Sequence, residues 1–203
     1  MDTVIYFIRH AQSRISARLR HDEWPLSDLG RVQAAKLAPL IANLQIQRVI
    51  SSPFIRCLDT IAPFISVSKL PLDIHDDLRE RHVVDTVVDD FSEIWKKSWA
   101  DFHFSIPGGE SSFQAQTRFV NAVAEVVDSH EGSVLGISTH GNVLGLFLNF
   151  IDSRLHRQEA EKIRNPDVLK IIARSGRYEC DQDFSVPGLD ELATHPAATS
   201  IEK

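Results

Sequence analysis

The apolar residues of this chain fall in short unbroken runs more often than in strict alternation. Val4-Ile5-Tyr6-Phe7-Ile8 is such a run. A β-prone stretch with no polar alternation fits a strand covered on both faces, as in a parallel sheet. Similar runs predict strands near 48–51, 71–74, 133–138 and 168–173. Helical spacing fills the intervals. Val32, Ala35, Leu37, Leu40, Ile41 and Leu44 recur on one face after Pro25-Leu26-Ser27-Asp28-Leu29-Gly30, where Ser27 or Asp28 is the expected N-cap. Pro53 suits the first turn of a helix carrying Ile55, Leu58, Thr60 and Ile61. Phe113, Thr117, Val120, Val123, Ala124 and Val127 follow the turn at 107–111, and 143–150 is strongly apolar. Strands alternating with helices predict an α/β fold with a largely parallel sheet.

Three stretches break the alternation. Residues 11–25 are polar, with Arg14, Arg18 and Arg20, and read as a long loop. Residues 83–106 are acidic and then aromatic, and read as a helical, lid-like insertion in which the four-residue spacing of Trp95 and Trp99 favours packing. Residues 175–203 are polar with Pro187, Gly188 and Pro196, and read as a loosely packed or disordered tail. One catalytic domain over 1–174 is therefore expected.

Composition narrows the partners. The 203 residues suffice for a sizeable core, and 43% hydrophobic with 25% charged residues is an ordinary globular balance. A net charge of -6 argues against nucleic acid and anionic membrane surfaces as partners. The longest apolar stretch, 143–151, is too short to span a bilayer. Cys57 and Cys180 have no CxxC spacing and do not make a disulfide framework, so a reduced, cytoplasmic protein is the default expectation. A homodimer is allowed but not specified.

The candidate chemistry lies at strand ends. His10 and His140 each directly follow a buried-type strand, and ligands of open α/β sheets bind beyond the carboxyl ends of strands. If the two strands are neighbours, both imidazoles enter one crevice. Arg9 is already there, and Arg56, one turn after Pro53, reaches the same place. Guanidinium forks suit phosphate oxygens, and the N–H groups of Gly141 and Asn142 would add a helix N-terminus to the anion site. A histidine nitrogen in line with phosphorus can accept a phosphoryl group, while Glu80 is the best-placed proton donor for the leaving oxygen. Glu110 reads as a first-turn residue favoured by the helix dipole. The remaining histidines, such as His75, His82, His103 and His130, have no ligand spacing, so neither a metal nor a cofactor is expected.

Arg9-His10-Ala11-Gln12-Ser13 resembles the signature of the histidine phosphatase superfamily, the phosphoglycerate mutase-like proteins. The resemblance continues in order through Pro25-Leu26-Ser27-Asp28-Leu29-Gly30 with Gln33, Ser51-Ser52-Pro53 with Arg56 and Thr60, Leu78-Arg79-Glu80, Pro107-Gly108-Gly109-Glu110-Ser111 and His140-Gly141-Asn142. It covers about residues 3–173 and implies a three-layer sandwich with helices on both faces of the sheet. It also implies that His10 is phosphorylated, that Arg9, Arg56 and His140 hold the phosphate, and that Glu80 donates the proton and later activates water. Two positions depart from the pattern. Ala11 replaces a glycine, and Ser16 stands where many relatives have a phosphate-contacting asparagine; Arg14, Arg18, Arg20 or His21 could supply a substitute. The leading expectation is a metal-independent phosphatase acting on a small phosphorylated metabolite. A cofactor-dependent phosphoglycerate mutase is the nearest alternative, and a non-catalytic phospho-ligand module is the alternative of another class.

Overall fold

In the computed structural model, residues 1–83, 91–195 and the backbone of 201–202 are described. The central sheet has six strands: β1 (Thr3–Arg9), β3 (Arg48–Ser51), β4 (Leu72–Ile74), β5 (Val134–Thr139), β6 (Asp167–Arg174) and β7 (Arg177–Cys180). Their spatial order is β4-β3-β5-β1-β6-β7. The first four in that order run parallel, and β6 and β7 are antiparallel to their neighbours. The mostly parallel α/β sheet expected from the buried strand runs is the one observed.

Successive residues of β1 serve opposite faces. Ile5 and Phe7 join a core with Phe119, Val123, Leu135, Ile137 and Phe147, which draws in α4 (Ser112–Ser129) and α5 (Gly141–Ile151). Ile8 joins Leu37, Ile41, Val49, Ile61 and Phe64, which draws in α1 (Asp28–Ala42) and α2 (Ile55–Ser68). The two cores make the three layers. Ser27 rather than Asp28 is the N-cap of α1, its side chain accepting from the Gly30 N–H.

The 83–106 insertion contains α3 (Phe91–Ala100), with 84–90 outside the described residues. Trp99 meets both Trp95 and Phe102 edge-on, at ring distances of 5.7 and 5.6 Å. The expectation of a loosely packed tail after 174 needs correcting. Ser175 and Gly176 both have positive φ and close a two-residue hairpin, so the last strand of the sheet is β7, not β6. Val186 and Leu189 then bury their side chains in the α1/α2 core. The segment looked unstructured because β7 alternates exposed and half-buried residues at a sheet edge and has little apolar content. The polar 11–25 loop contains a short strand, β2 (Ile15–Ser16), whose backbone pairs in parallel with β8 (Ile201–Glu202). Residues 196–200 and 203 lie outside the described residues.

Candidate active site

Strands β1 and β5 are adjacent and in register, with Arg9 opposite Thr139. The next residue of each is a histidine, so His10 and His140 leave the sheet side by side, with ring centroids 5.3 Å apart. Strand β3 is the other neighbour of β5 and ends one residue short of it, Ser51 opposite Ser138. It delivers Ser52, whose hydroxyl lies 2.8 Å from His140 Nε2, and then α2 with Arg56. Three parallel strand ends thus bring His10, Ser52, Arg56 and His140 together, and all four are buried.

His10 is fixed on both sides of its ring. Nδ1 is 2.7 Å from the Ala11 carbonyl, so that nitrogen carries the hydrogen and Nε2 keeps its lone pair. Arg56 Nε donates to Nε2 at 3.2 Å. The backbone is fixed as well. The Asn165 side-chain amide donates to the His10 carbonyl, and the Ala11 N–H donates to Thr60 Oγ1. Ala11 is fully buried and does not adopt positive φ, so the departure from glycine there carries no backbone strain.

Burial pushes the His10 pKa well below the ordinary imidazole value, and the Arg56 and Arg9 cations push it further. His140 is depressed in the same way, by burial first and then by Arg56. Both rings are therefore neutral near pH 7. Burial also draws Arg9 down to about 10, opposed by Glu80 and Asp167, which leaves it a cation at neutral pH. The Cys57 thiol, 3.4 Å from His140 Nε2, is raised to about 12 by burial and stays protonated. It does not compete with His10 as a nucleophile.

Arg9 donates to the Ile163 carbonyl and packs against Gly141, where a side chain would collide with the guanidinium. Glu80 sits at the N-terminus of α5. Its carboxylate accepts the Asn142 and Val143 N–H groups at 3.1 Å each and the Arg81 N–H at 2.9 Å. The Asn142 N–H, expected to meet a phosphate oxygen, here meets a Glu80 carboxyl oxygen, because the chain after β4 delivers that side chain to the helix end. The same contacts set Glu80 beside the His140 strand end.

Ser16 is not brought into the cluster. Its hydroxyl accepts from the Arg18 N–H, its carbonyl accepts from Trp24 Nε1, and among the described residues it makes no hydrogen bond to His10, Arg9, Arg56 or His140. Of the loop candidates, Arg20 pairs with Asp22 at the surface. His21 touches the site, its carbonyl accepting from Arg56 Nη1 at 2.6 Å and its ring meeting Phe54 at 4.7 Å. Arg56 also lies over the Phe54 ring, at 4.8 Å from its centroid. Among the described residues, no three His, Cys, Asp or Glu side chains gather as a metal-binding group.

Several supporting residues escaped sequence reasoning. Gln33 accepts the Gln12 N–H and donates to the carbonyls of Asn165 and Leu192. It thereby ties the loop after His10 to the C-terminal segment. Gln33 and Thr60 stood within the recognised motifs but had no chemistry to mark them. Asn165 had no pattern at all. Glu110 is not a first-turn residue but precedes the N-cap, Ser111, and its carboxylate reaches back to the loop of Glu80.

Residues 5–182 match the family model of the histidine phosphatase superfamily (branch 1). The chain is 31% identical over 179 residues to phosphoglycerate mutase-like protein 4 of Arabidopsis thaliana, covering 81% of this chain and 76% of that one. It is 32% identical over 133 residues to a glucosyl-3-phosphoglycerate phosphatase of Mycolicibacterium vanbaalenii, covering 61% of this chain and 59% of that one. The solved structure of a mycobacterial glucosyl-3-phosphoglycerate phosphatase shares the fold, with a TM-score of 0.72, 21% identity, and coverage of 89% of this chain and 98% of the other.

Proposed function

This chain belongs to the histidine phosphatase superfamily, and on that premise we propose that it hydrolyses small phosphate monoesters through a phosphohistidine on His10. The observation that carries the reading is the fixed tautomer of His10. A neutral ring keeps its lone pair on Nε2, facing the Arg56 guanidinium, with Nδ1–H anchored on Ala11. Nε2 attacks phosphorus, and the bond from phosphorus to the leaving oxygen breaks. Protonated Glu80 gives its proton to that oxygen, so the product leaves as a neutral alcohol. The positive charge left on the ring is met by the Ala11 carbonyl. Arg9, Arg56 and His140 hold the phosphoryl oxygens, where fixed donors stabilise charge in the transition state. Water then attacks the phosphohistidine, the phosphorus–nitrogen bond breaks, and the electron pair returns to Nε2. The Glu80 carboxylate takes the proton from that water and is ready for the next cycle.

Within this proposal the catalytic unit extends past 174 to take in β7 and the segment of Val186 and Leu189, 83–106 is its lid-like insertion, Gly141 makes room for Arg9, and no metal takes part. Because the Asn142 N–H groups with Glu80 and Ser16 faces its own loop, neither heads the phosphate-binding set. The substrate is a small phosphorylated metabolite, and the location is cytoplasmic, in keeping with two free cysteines. Phosphoglycerate mutase activity is a second reading, favoured by the mutase-like relative.

The test is phosphate release from p-nitrophenyl phosphate, with and without chelator, for the parent and His10→Ala. Release that survives chelator and is lost in the variant supports the mechanism. Release that persists in His10→Ala, or that stops with chelator, rejects it. Supplied with 3-phosphoglycerate and 2,3-bisphosphoglycerate, the enzyme should yield free phosphate; efficient formation of 2-phosphoglycerate would make it a mutase.

A further inference from the structure

The loop that carries Glu80 is held from α4, at a distance from the phosphate site. Arg118, on the second turn of that helix, and Glu110, just ahead of its N-cap, form a two-point pair. Arg118 Nε donates to Glu110 Oε1 at 2.8 Å and Nη2 donates to Oε2 at 2.9 Å. Such a fork fixes orientation as well as distance. Each partner then grips the loop. Arg118 Nη1 donates to the carbonyls of Asp77 and Arg79, at 2.7 and 3.1 Å. Glu110 Oε2 accepts the His82 N–H at 2.9 Å, and the Glu110 N–H donates to the His82 carbonyl at 2.6 Å. Arg81 Nε donates to the Glu110 carbonyl at 2.9 Å. The backbone is thus fastened at 77, 79 and 82, on both sides of residue 80.

The pair is shielded from water, with the Arg118 side chain 10% exposed and that of Glu110 19%. Burial pushes the Glu110 carboxyl up, but Arg118, the His82 N–H and Arg79 outweigh it and hold it below the ordinary range. Glycine at 109 lets the two segments close. A Cβ there would fall 2.1 Å from the Val83 carbonyl oxygen. The clamp leaves the Glu80 side chain unbound by Arg118 or Glu110 and directs it to the end of α5.

We propose that Glu110 and Arg118 are positioning residues for proton donation: together they hold the 77–82 backbone so that the Glu80 carboxyl reaches the leaving oxygen. The inference rests on Glu80 as the proton donor. It goes beyond fold maintenance because it makes a kinetic demand. A misplaced acid matters for a leaving group that needs a proton and matters little for one that departs as a stable anion.

The experiment compares Glu110→Gln and Arg118→Lys with the parent on 2,4-dinitrophenyl phosphate, phenyl phosphate and an alkyl phosphate. Glu80→Gln runs beside them. General acid help is worth about 10²–10⁴-fold, and a conservative change that loosens the clamp should forfeit part of it. We expect kcat/KM, which reports phosphoryl transfer to His10 and not the later attack of water, to fall by about 10- to 100-fold on phenyl and alkyl phosphate in either variant, and to stay within about threefold of the parent on 2,4-dinitrophenyl phosphate. Arg118→Lys keeps the charge while losing the fork, so it decides the matter if Glu110→Gln does not fold. Equal losses on all three substrates, or no loss on any, overturn the inference. If Glu80→Gln itself shows no leaving-group dependence, the assignment of Glu80 fails, and the clamp's positioning role falls with it.

Discussion

Gly141→Ala tests whether Arg9 is a rigid part of the phosphate site. A Cβ at this position would fall 2.4 Å from Arg9 Cζ, 2.7 Å from Nε and 2.8 Å from Nη2. Ordinary contact begins near 3.4 Å, so the guanidinium must retreat by about 1 Å. It cannot do so freely, because Nη1 donates to the Ile163 carbonyl and Glu80 and Asp167 hold the charge. A displacement of about 1 Å in a positioning group can cost about 10²-fold in rate, equivalent to about 2.7 kcal/mol. Overpacking of a filled site should lower stability by about 1–3 kcal/mol as well. The assay is kcat/KM on an aryl phosphate together with competitive inhibition by inorganic phosphate. Both should weaken if Arg9 holds phosphate as proposed. Gly145→Ala is the control on the same helix. Its Cβ would fall 2.5 Å from that of Ala160, so it should lower stability and leave phosphate inhibition unchanged. If Gly141→Ala retains activity within about threefold and binds phosphate as the parent does, Arg9 does not act as proposed.

Two further outcomes follow from the buried histidines and their supports. His10 and His140 are both depressed by burial, so the unfolded chain binds protons that the folded chain refuses. Their contribution to stability is present above the ordinary histidine value of about 6.5 and is lost as pH falls below it, by up to about 1.4 kcal/mol per pH unit for each ring. Urea unfolding at pH 7.5, 6.5 and 5.5 should show this slope, and His10→Gln should remove one share; identical slopes in the two proteins would contradict the depressed pKa. Asn165→Ala should leave the buried His10 carbonyl without its side-chain donor and lower stability by about 1–3 kcal/mol, read by the same unfolding assay. A neutral substitution there would mean that the carbonyl is satisfied in another way.

The amino-acid sequence by itself determined the sheet-forming runs, the helices between them and the chemistry-bearing strand ends. The reason is local: unbroken β-prone runs require two covered faces, and a motif that begins where a strand stops must sit at a sheet edge. His10, Arg56, Glu80 and His140 were legible for that reason. Tertiary structure decided what depends on adjacency. Only the pairing of β1 with β5 and of β5 with β3 puts both imidazoles, Ser52 and Arg56 in one place. Only packing shows that the Asn142 N–H meets Glu80. The same holds for Asn165 on the His10 carbonyl, and for Glu110 and Arg118 on the Glu80 loop, where a polar side chain bonds a backbone atom that no residue type announces. The hairpin at Ser175-Gly176 was missed, because its edge strand lacks the apolar run that betrayed the others.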